Sequence, residues 1–194
     1  VTSVIGLDPG LDGAGIVLVD GAAFRNRILA WPTLELKKVG GGKKREYDEG
    51  AVFRWLRSVV AGGGAHVFLE KQQAMPGQGV TSMFSTGYGY GMLRGMLVAL
   101  EVPWTLVTAK AWQKVLLAGM PHVEGKKASS QAHIVCSRLW PGLDLRATER
   151  SRTPHSGICD ALLIAEYGRR QLCGDTRVEV PVVTDSALDA AAAG

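Results

Sequence analysis

The sequence predicts an α/β fold, a five-stranded mixed sheet flanked by helices. Three observations predict it. The chain opens with three strand-like segments joined by turns too short for anything but antiparallel neighbours. After them, helix-like and strand-like segments alternate, so the later strands are reached by crossovers and run parallel. Two of these strands, Val4–Asp8 and Val67–Glu70, are apolar and end on a carboxylate.

Taken in order, Ser3–Asp8, Gly13–Asp20 and Ala23–Leu34 read as the antiparallel three-strand meander. Gly10, Asp12 and Gly13 form its first turn, Asp20 and Gly21 its second. Lys37–Arg45 is glycine-rich and strongly basic. It is expected to be a surface loop, either simply solvated or in contact with phosphate. Asp48–Ala61 is an amphipathic helix, with Val52, Phe53, Leu56, Val59 and Val60 on one face, and Gly62–Gly64 stop it. His66–Glu70 is the next strand, and Lys71–Val80 a polar loop. Thr81–Leu100 follows as a long helix. Its Gly87, Gly91 and Gly95 are four apart and share a face, which is expected to lie flat on the sheet in preference to forming a dimer seam, with both open on different faces. Val102–Val107 is the fifth strand, and Thr108 caps a helix that runs to Leu117. Lys126–Trp140 is a helix with Ile134, Val135 and Leu139 inward. Ser156–Cys173 is the last helix, its period kept by Ile158, Ala161, Leu162, Ala165 and Leu172. Residues 1–173 are thus expected to form one domain and 174–194 a C-terminal tail.

Composition narrows the function classes. The chain has 194 residues, 46% hydrophobic and 21% charged, enough for one well-cored domain. No run approaches a membrane span, so no membrane partner is expected. The net charge of +4 and pI near 9.1 are compatible with a polyanionic partner without demanding one. Cys136, Cys159 and Cys173 are odd in number and lack a Cys-x-x-Cys pair. They argue against a disulfide framework and for a reducing compartment. The chain opens on Val1, so an N-terminal segment, and any targeting signal in it, is expected to have been removed.

The chemistry is sought where the carboxylates fall. Asp8 ends the first strand and is followed by Pro9-Gly10. Taken alone it reads as a turn aspartate capping that bend. Glu70 ends a strand in the same way, and Asp160 lies in the first turns of the last helix with His155 just before it. Three acids gathered at the carboxyl edge of an open sheet suit a divalent cation with hard oxygen ligands.

The element order is that of the ribonuclease H-like fold. Within it, the chain resembles the RuvC-type Holliday-junction resolvases. The resemblance rests on Ile5-Gly6-Leu7-Asp8-Pro9-Gly10, on Phe68-Leu69-Glu70, on Lys126-Lys127 with Ser129, Ser130 and Gln131, and on Asp160-Ala161-Leu162-Leu163-Ile164-Ala165. It spans about Ser3 to Cys173, and it makes residues 1–173 a nuclease domain. It implies metal-dependent, symmetric nicking of four-way DNA junctions by a homodimer, with some sequence preference and no nucleotide cofactor. It makes Asp8, Glu70 and Asp160 metal ligands for two Mg²⁺ (or Mn²⁺) ions per active site, and Lys127 the active-site lysine, with Lys126 beside it. Many bacterial members carry an acid or histidine three positions before the final aspartate; here that position is Gly157. His155 is the nearest replacement, as metal ligand, as acid/base, or as a solvated helix-entry residue. That spacing most resembles the plant chloroplast resolvases (the monokaryotic-chloroplast type), which implies a plastid location.

Phosphodiester hydrolysis fits these residue types. Two ions roughly 4 Å apart activate a water and stabilise charge on the phosphate. Lys127 would stabilise the crowded phosphate; two solvated lysines is the plainer reading of Lys126-Lys127. Lys43, Lys44 and Arg45, and on the 141–154 loop Arg146, Arg150 and Arg152, are candidates for phosphate contact, which positions DNA without reading it. Gln72, Gln73 and Gln78 could bond base edges and Met75 wedge into an opened step, unless the loop is simply polar. Actin-like sugar kinases share the strand-Asp-x-Gly opening but need two lobes, and the chain supplies one. An RNA–DNA hybrid nuclease or an inactive junction-binding module would keep the fold and change the function.

Overall fold

A computed structural model describes residues 3–37, 41–73, 77–120 and 128–174, with 128–130 described by their backbone. The strands are β1 (Ser3–Asp8), β2 (Ala14–Val19), β3 (Ala22–Ala30), β4 (Thr33–Lys37), β5 (Lys43–Tyr47), β6 (Ala65–Glu70) and β7 (Trp104–Val107). The helices are α1 (Glu49–Val60), α2 (Val80–Ala99), α3 (Ala109–Leu116), α4 (Ala128–Leu139) and α5 (Ser156–Cys173).

The main sheet has the order β3-β2-β1-β6-β7. β1 pairs antiparallel with β2 and parallel with β6, and β6 pairs parallel with β7. This is the expected mixed sheet: a meander extended by two parallel strands, in a ribonuclease H-like α/β fold. The register sets Leu7 opposite Leu69 and Glu70 opposite Val107, so Asp8 and Glu70 leave neighbouring strands at the same edge.

Alternation along the strands divides the core in two. Ile5, Leu7, Val17, Val67 and Leu69 face α1 and α2. Val4, Ile16, Leu18 and Phe68 face α3, α4 and α5. β1 is covered on both sides, hence its near-continuous apolar sequence. α5 is buried over most of its length, as its Ile158–Ala165 run requires. Leu172 is the exception; it lies 46% exposed past the end of the packed face.

Three expectations change. The segment 23–34 is two strands, because Pro32 interrupts it: β3 ends at Ala30 and β4 begins at Thr33. The basic stretch 37–45 is only partly a loop. β4 and β5 pair antiparallel, from Thr33 opposite Tyr47 to Lys37 opposite Lys43, as a separate two-stranded ribbon. Its charges hid it: Leu34 and Leu36 alternate along β4 but stay exposed, and four consecutive charged residues open β5. The glycine face of α2 is turned away from the sheet. Gly87, Gly91 and Gly95 have no neighbour over them, and Gly89, Leu93 and Leu97 face inward. The helix carries two stripes of four-residue spacing on opposite sides. The leucine stripe is buried because only it removes apolar surface from water.

Asp48 accepts from the Ala51 N–H at 2.9 Å and caps α1; Thr108 does the same for α3. Among the described residues the cysteines are free thiols, and no helix is long and apolar enough to cross a membrane.

Candidate metal centre at the carboxyl edge of the sheet

α5 runs against β1 at backbone contact. A Cβ on Gly6 would overlap the Ala161 carbonyl oxygen, so only glycine admits the helix here. That approach brings Asp160, one residue earlier, to the edge where β1 and β6 end.

Asp8 is held by its own loop. Its Oδ1 accepts from the Gly10 N–H at 3.1 Å. Its backbone carbonyl accepts from Trp31 Nε1 at 2.6 Å, and the next carbonyl, of Pro9, accepts from the buried Tyr47 hydroxyl at 2.8 Å. Glu70 is held through its side chain: Oε1 accepts from Trp112 Nε1 at 3.0 Å and Oε2 from Gln72 Nε2 at 2.7 Å.

The three carboxylates share one electrostatic condition. Burial pushes Asp8 up to about 8, assisted by the negative charge of Glu70 and opposed by the Gly10 N–H. Burial and Glu70 push Asp160 up to about 7. Burial raises Glu70 as well, against the two donors from Trp112 and Gln72. None of the three has a described lysine or arginine among the groups that move it. Desolvated, mutually repelling carboxylates favour a bound cation.

The donor chemistry fits a hard divalent ion. Among the described residues, no group of three acidic, histidine or cysteine side chains stands close enough together to hold a metal ion. An ion here would draw on few carboxylates and complete its shell with water and phosphate oxygens, the usual arrangement for Mg²⁺.

His155 is the N-cap of α5. Its Nδ1 accepts from the Ile158 N–H at 3.3 Å, and its backbone N–H donates to the Leu145 carbonyl. A neutral ring used in this way carries its proton on Nε2. Burial lowers its pKa, with Asp12 opposing and Arg45 assisting. The groups that act on it are therefore Asp12 and Arg45, which pair at 2.8 Å. Gly157 has a steric reason to be glycine: a Cβ there would collide with the Asp12 carbonyl and the Gly13 backbone.

The basic candidates are already engaged. Lys43 pairs with Glu35, Lys44 with Glu46 and Arg45 with Asp12, all at exposed positions. Arg146 is held by both oxygens of Asp144, which that contact lowers to about 2. Arg150 and Arg152 are exposed. Gln73 and Gln78 line a cavity of about 190 Å³ with Met83, Thr86 and Tyr90. Met75, Lys126 and Lys127 lie outside the described residues.

Sequence reasoning missed Asp12, Trp31, Tyr47 and Trp112. Trp112 lies 42 positions from Glu70 and Tyr47 lies 38 from Pro9. No local spacing announces such partners.

No family model matches the sequence, and no curated protein does. Solved structures do. The structure titled T. thermophilus RuvC in complex with Holliday junction substrate is similar over 90% of this chain and 98% of that one, with a TM-score of 0.52 and 14% identity. A second, titled Thermus thermophilus RuvC structure, has a TM-score of 0.51 and 17% identity over the same shares. The chain has the RuvC fold. At such low identity the likeness concerns the backbone, and the side chains must argue for themselves.

Proposed function

We propose that this chain is a metal-dependent endonuclease that nicks four-way DNA junctions symmetrically as a homodimer. One observation carries the proposal: Asp8, Glu70 and Asp160, far apart in sequence, come to one edge of the sheet desolvated, within reach of one another's charge and without a described cationic partner. A binding module has no use for that cost, and the fold is shared with a protein solved on a Holliday junction.

In this reading Asp8, Glu70 and Asp160 hold one or two Mg²⁺ (or Mn²⁺) ions. When bound, these supply the activated water and offset phosphate charge. The Asp8 loop, tied by Trp31 and Tyr47, keeps its carboxylate at the edge. Lys127 neutralises the phosphate, with Lys126 beside it. His155, its proton on Nε2 while Nδ1 holds the helix cap, donates a hydrogen bond from Nε2 to phosphate or water; an acid/base role or metal binding at Nε2 would each cost it that cap. Lys43, Lys44, Arg45, Arg150 and Arg152 bind phosphates, exchanging exposed ion pairs of small worth for DNA. Arg146 braces its loop. Gln72, Gln73, Met75 and Gln78 supply sequence preference at the crossover. The homodimer seam is assigned to the outward face of α2, where Gly87, Gly91 and Gly95 have open space beside exposed Val80, Phe84 and Val98. The spacing of His155 and Asp160 supports the narrower plastid assignment, which imaging of the full-length protein fused to a fluorescent tag would test.

The deciding experiment is cleavage of a fixed-sequence four-way junction with Mg²⁺ and with chelator, beside linear duplex and RNA–DNA hybrid. Metal-dependent paired nicks confined to the junction are expected. Cutting of the hybrid alone would move the function to RNA removal, and junction binding without cutting would make the chain an inactive binding module.

A further inference from the structure

We propose that Trp112 is a positioning residue for Glu70, its indole N–H orienting that carboxylate toward a divalent cation. The inference rests on the metal-nuclease reading above and adds a residue to it.

Three features of the fold converge on the contact. Glu70 is the last residue of β6 and pairs with Val107, the last of β7. The Lys71 N–H donates to the Val107 carbonyl at 2.7 Å, so the two strand tips are bonded together. α3 then starts at once, capped by Thr108, and Trp112 sits one turn into it. The indole is 1% exposed and packs in the layer with Val107, Leu116, Ala132 and Cys136. Its N–H reaches out of that layer to Glu70 Oε1 at 3.0 Å.

A buried indole needs an acceptor, and backbone carbonyls usually serve. Trp31 and Trp140 each donate to one here. Trp112 instead directs its single donor at a carboxylate whose charge no described cation balances. A wholly apolar side chain at this position would require no acceptor. The second donor to Glu70, Gln72, is a half-exposed side chain two residues away with several rotamers open to it. Trp112 is locked by its packing, so it supplies direction where Gln72 supplies only solvation. Because the indole N–H bonds one lone pair of Oε1, the remaining lone pairs stay available to a cation. Partners of this kind, which hold a ligand rather than the metal, typically govern metal affinity by 10–100-fold.

The test replaces Trp112 by its benzothiophene analogue, introduced by nonsense suppression, which keeps the bicyclic shape and removes the N–H; Trp112→Phe is run beside it. Glu70→Gln serves as the reference variant. Mn²⁺ binding to the metal-free chain is measured by calorimetry, thermal melting is recorded, and junction cleavage is titrated against Mg²⁺. We expect the analogue to melt near wild type, to bind Mn²⁺ about tenfold more weakly, and to recover most of its cleavage rate at saturating metal. A wild-type Mn²⁺ affinity in the analogue, with affinity lost in Glu70→Gln, would overturn the positioning role and leave the metal site standing. Unchanged affinity in Glu70→Gln would instead remove the metal-site reading, and the role of Trp112 with it. The analogue retains the wild-type packing volume, so a poorly folded Trp112→Phe would not decide the matter.

Discussion

Among the described residues, two places take carboxylates largely out of water, and they handle the charge in opposite ways. Glu166, on the inner part of α5, is 4% exposed. It accepts from Arg169 at 2.7 and 2.9 Å and from Arg170 at 2.8 Å. Burial alone would raise it, but the two guanidinium groups outweigh burial and hold it below its ordinary value. Six residues earlier on the same helix, Asp160 faces Glu70 and Asp8 and is raised. Described donors near those acids are neutral: two indoles, a tyrosine, an amide and a backbone N–H. Glu166 is a finished ion pair. The strand-tip acids are left incomplete, at a cost in stability that only function explains.

The comparison is most sharply broken by exchanging a carboxylate for its amide at each place. Asp8→Asn should lower junction cleavage by about 10³-fold or more, roughly 4 kcal/mol of barrier. The same change should raise the melting temperature in chelator, by about 3 °C for each 1 kcal/mol of repulsion relieved. Unchanged cleavage would end the metal-site assignment, and a lowered melting temperature would show that the site is not strained.

Glu166→Gln should do the reverse. Loss of the acceptor for two arginines should cost about 2 kcal/mol, below the value for a wholly buried pair because both guanidinium groups keep some solvent contact. Cleavage per folded molecule should hold within about twofold. Chemical denaturation and single-turnover nicking measure the two effects.

The pH dependence of stability sharpens the same point. Glu166 is lowered in the folded state, so the unfolded chain binds its proton first. Its contribution is complete above the unfolded value of about 4.5 and is lost as pH falls through the lower folded value. The stability difference between wild type and Glu166→Gln should therefore shrink below that value. A difference that grows in acid would reverse the assignment.

The smallest effect is expected at the exposed pairs. Alanine at Lys43, Lys44 and Arg45 should change stability by under about 1 kcal/mol. Junction affinity should fall, and the slope of log K against log salt should shrink by about 0.9 for each phosphate that the variant no longer neutralises. An unchanged slope would remove the ribbon from the DNA-binding surface.

Much of this was legible along the chain. Apolar runs ending in Asp8 and Glu70, the second reached through a helical segment, pointed to parallel strands and therefore to a common edge. The period of α5 located Asp160 in its first turns. What escaped the sequence depended on contacts between distant segments. The β4–β5 ribbon is buried only at its root, Tyr47, and its charged residues gave it the look of a loop. The burial of Leu93 and Leu97 in preference to the glycine stripe was a choice between two equal spacings, made by the neighbouring sheet.

The sequence by itself determined the mixed sheet, the crossovers and the edge to which the acids come, because these follow from periodicity and chain connectivity. Only the tertiary structure decided how the acids are held. Gly6 lets α5 touch β1, Trp31 and Tyr47 tie the Asp8 loop, and Trp112 reaches Glu70 across 42 residues. Hydrogen bonds and desolvation act through space over a few ångströms, and sequence separation carries no record of them.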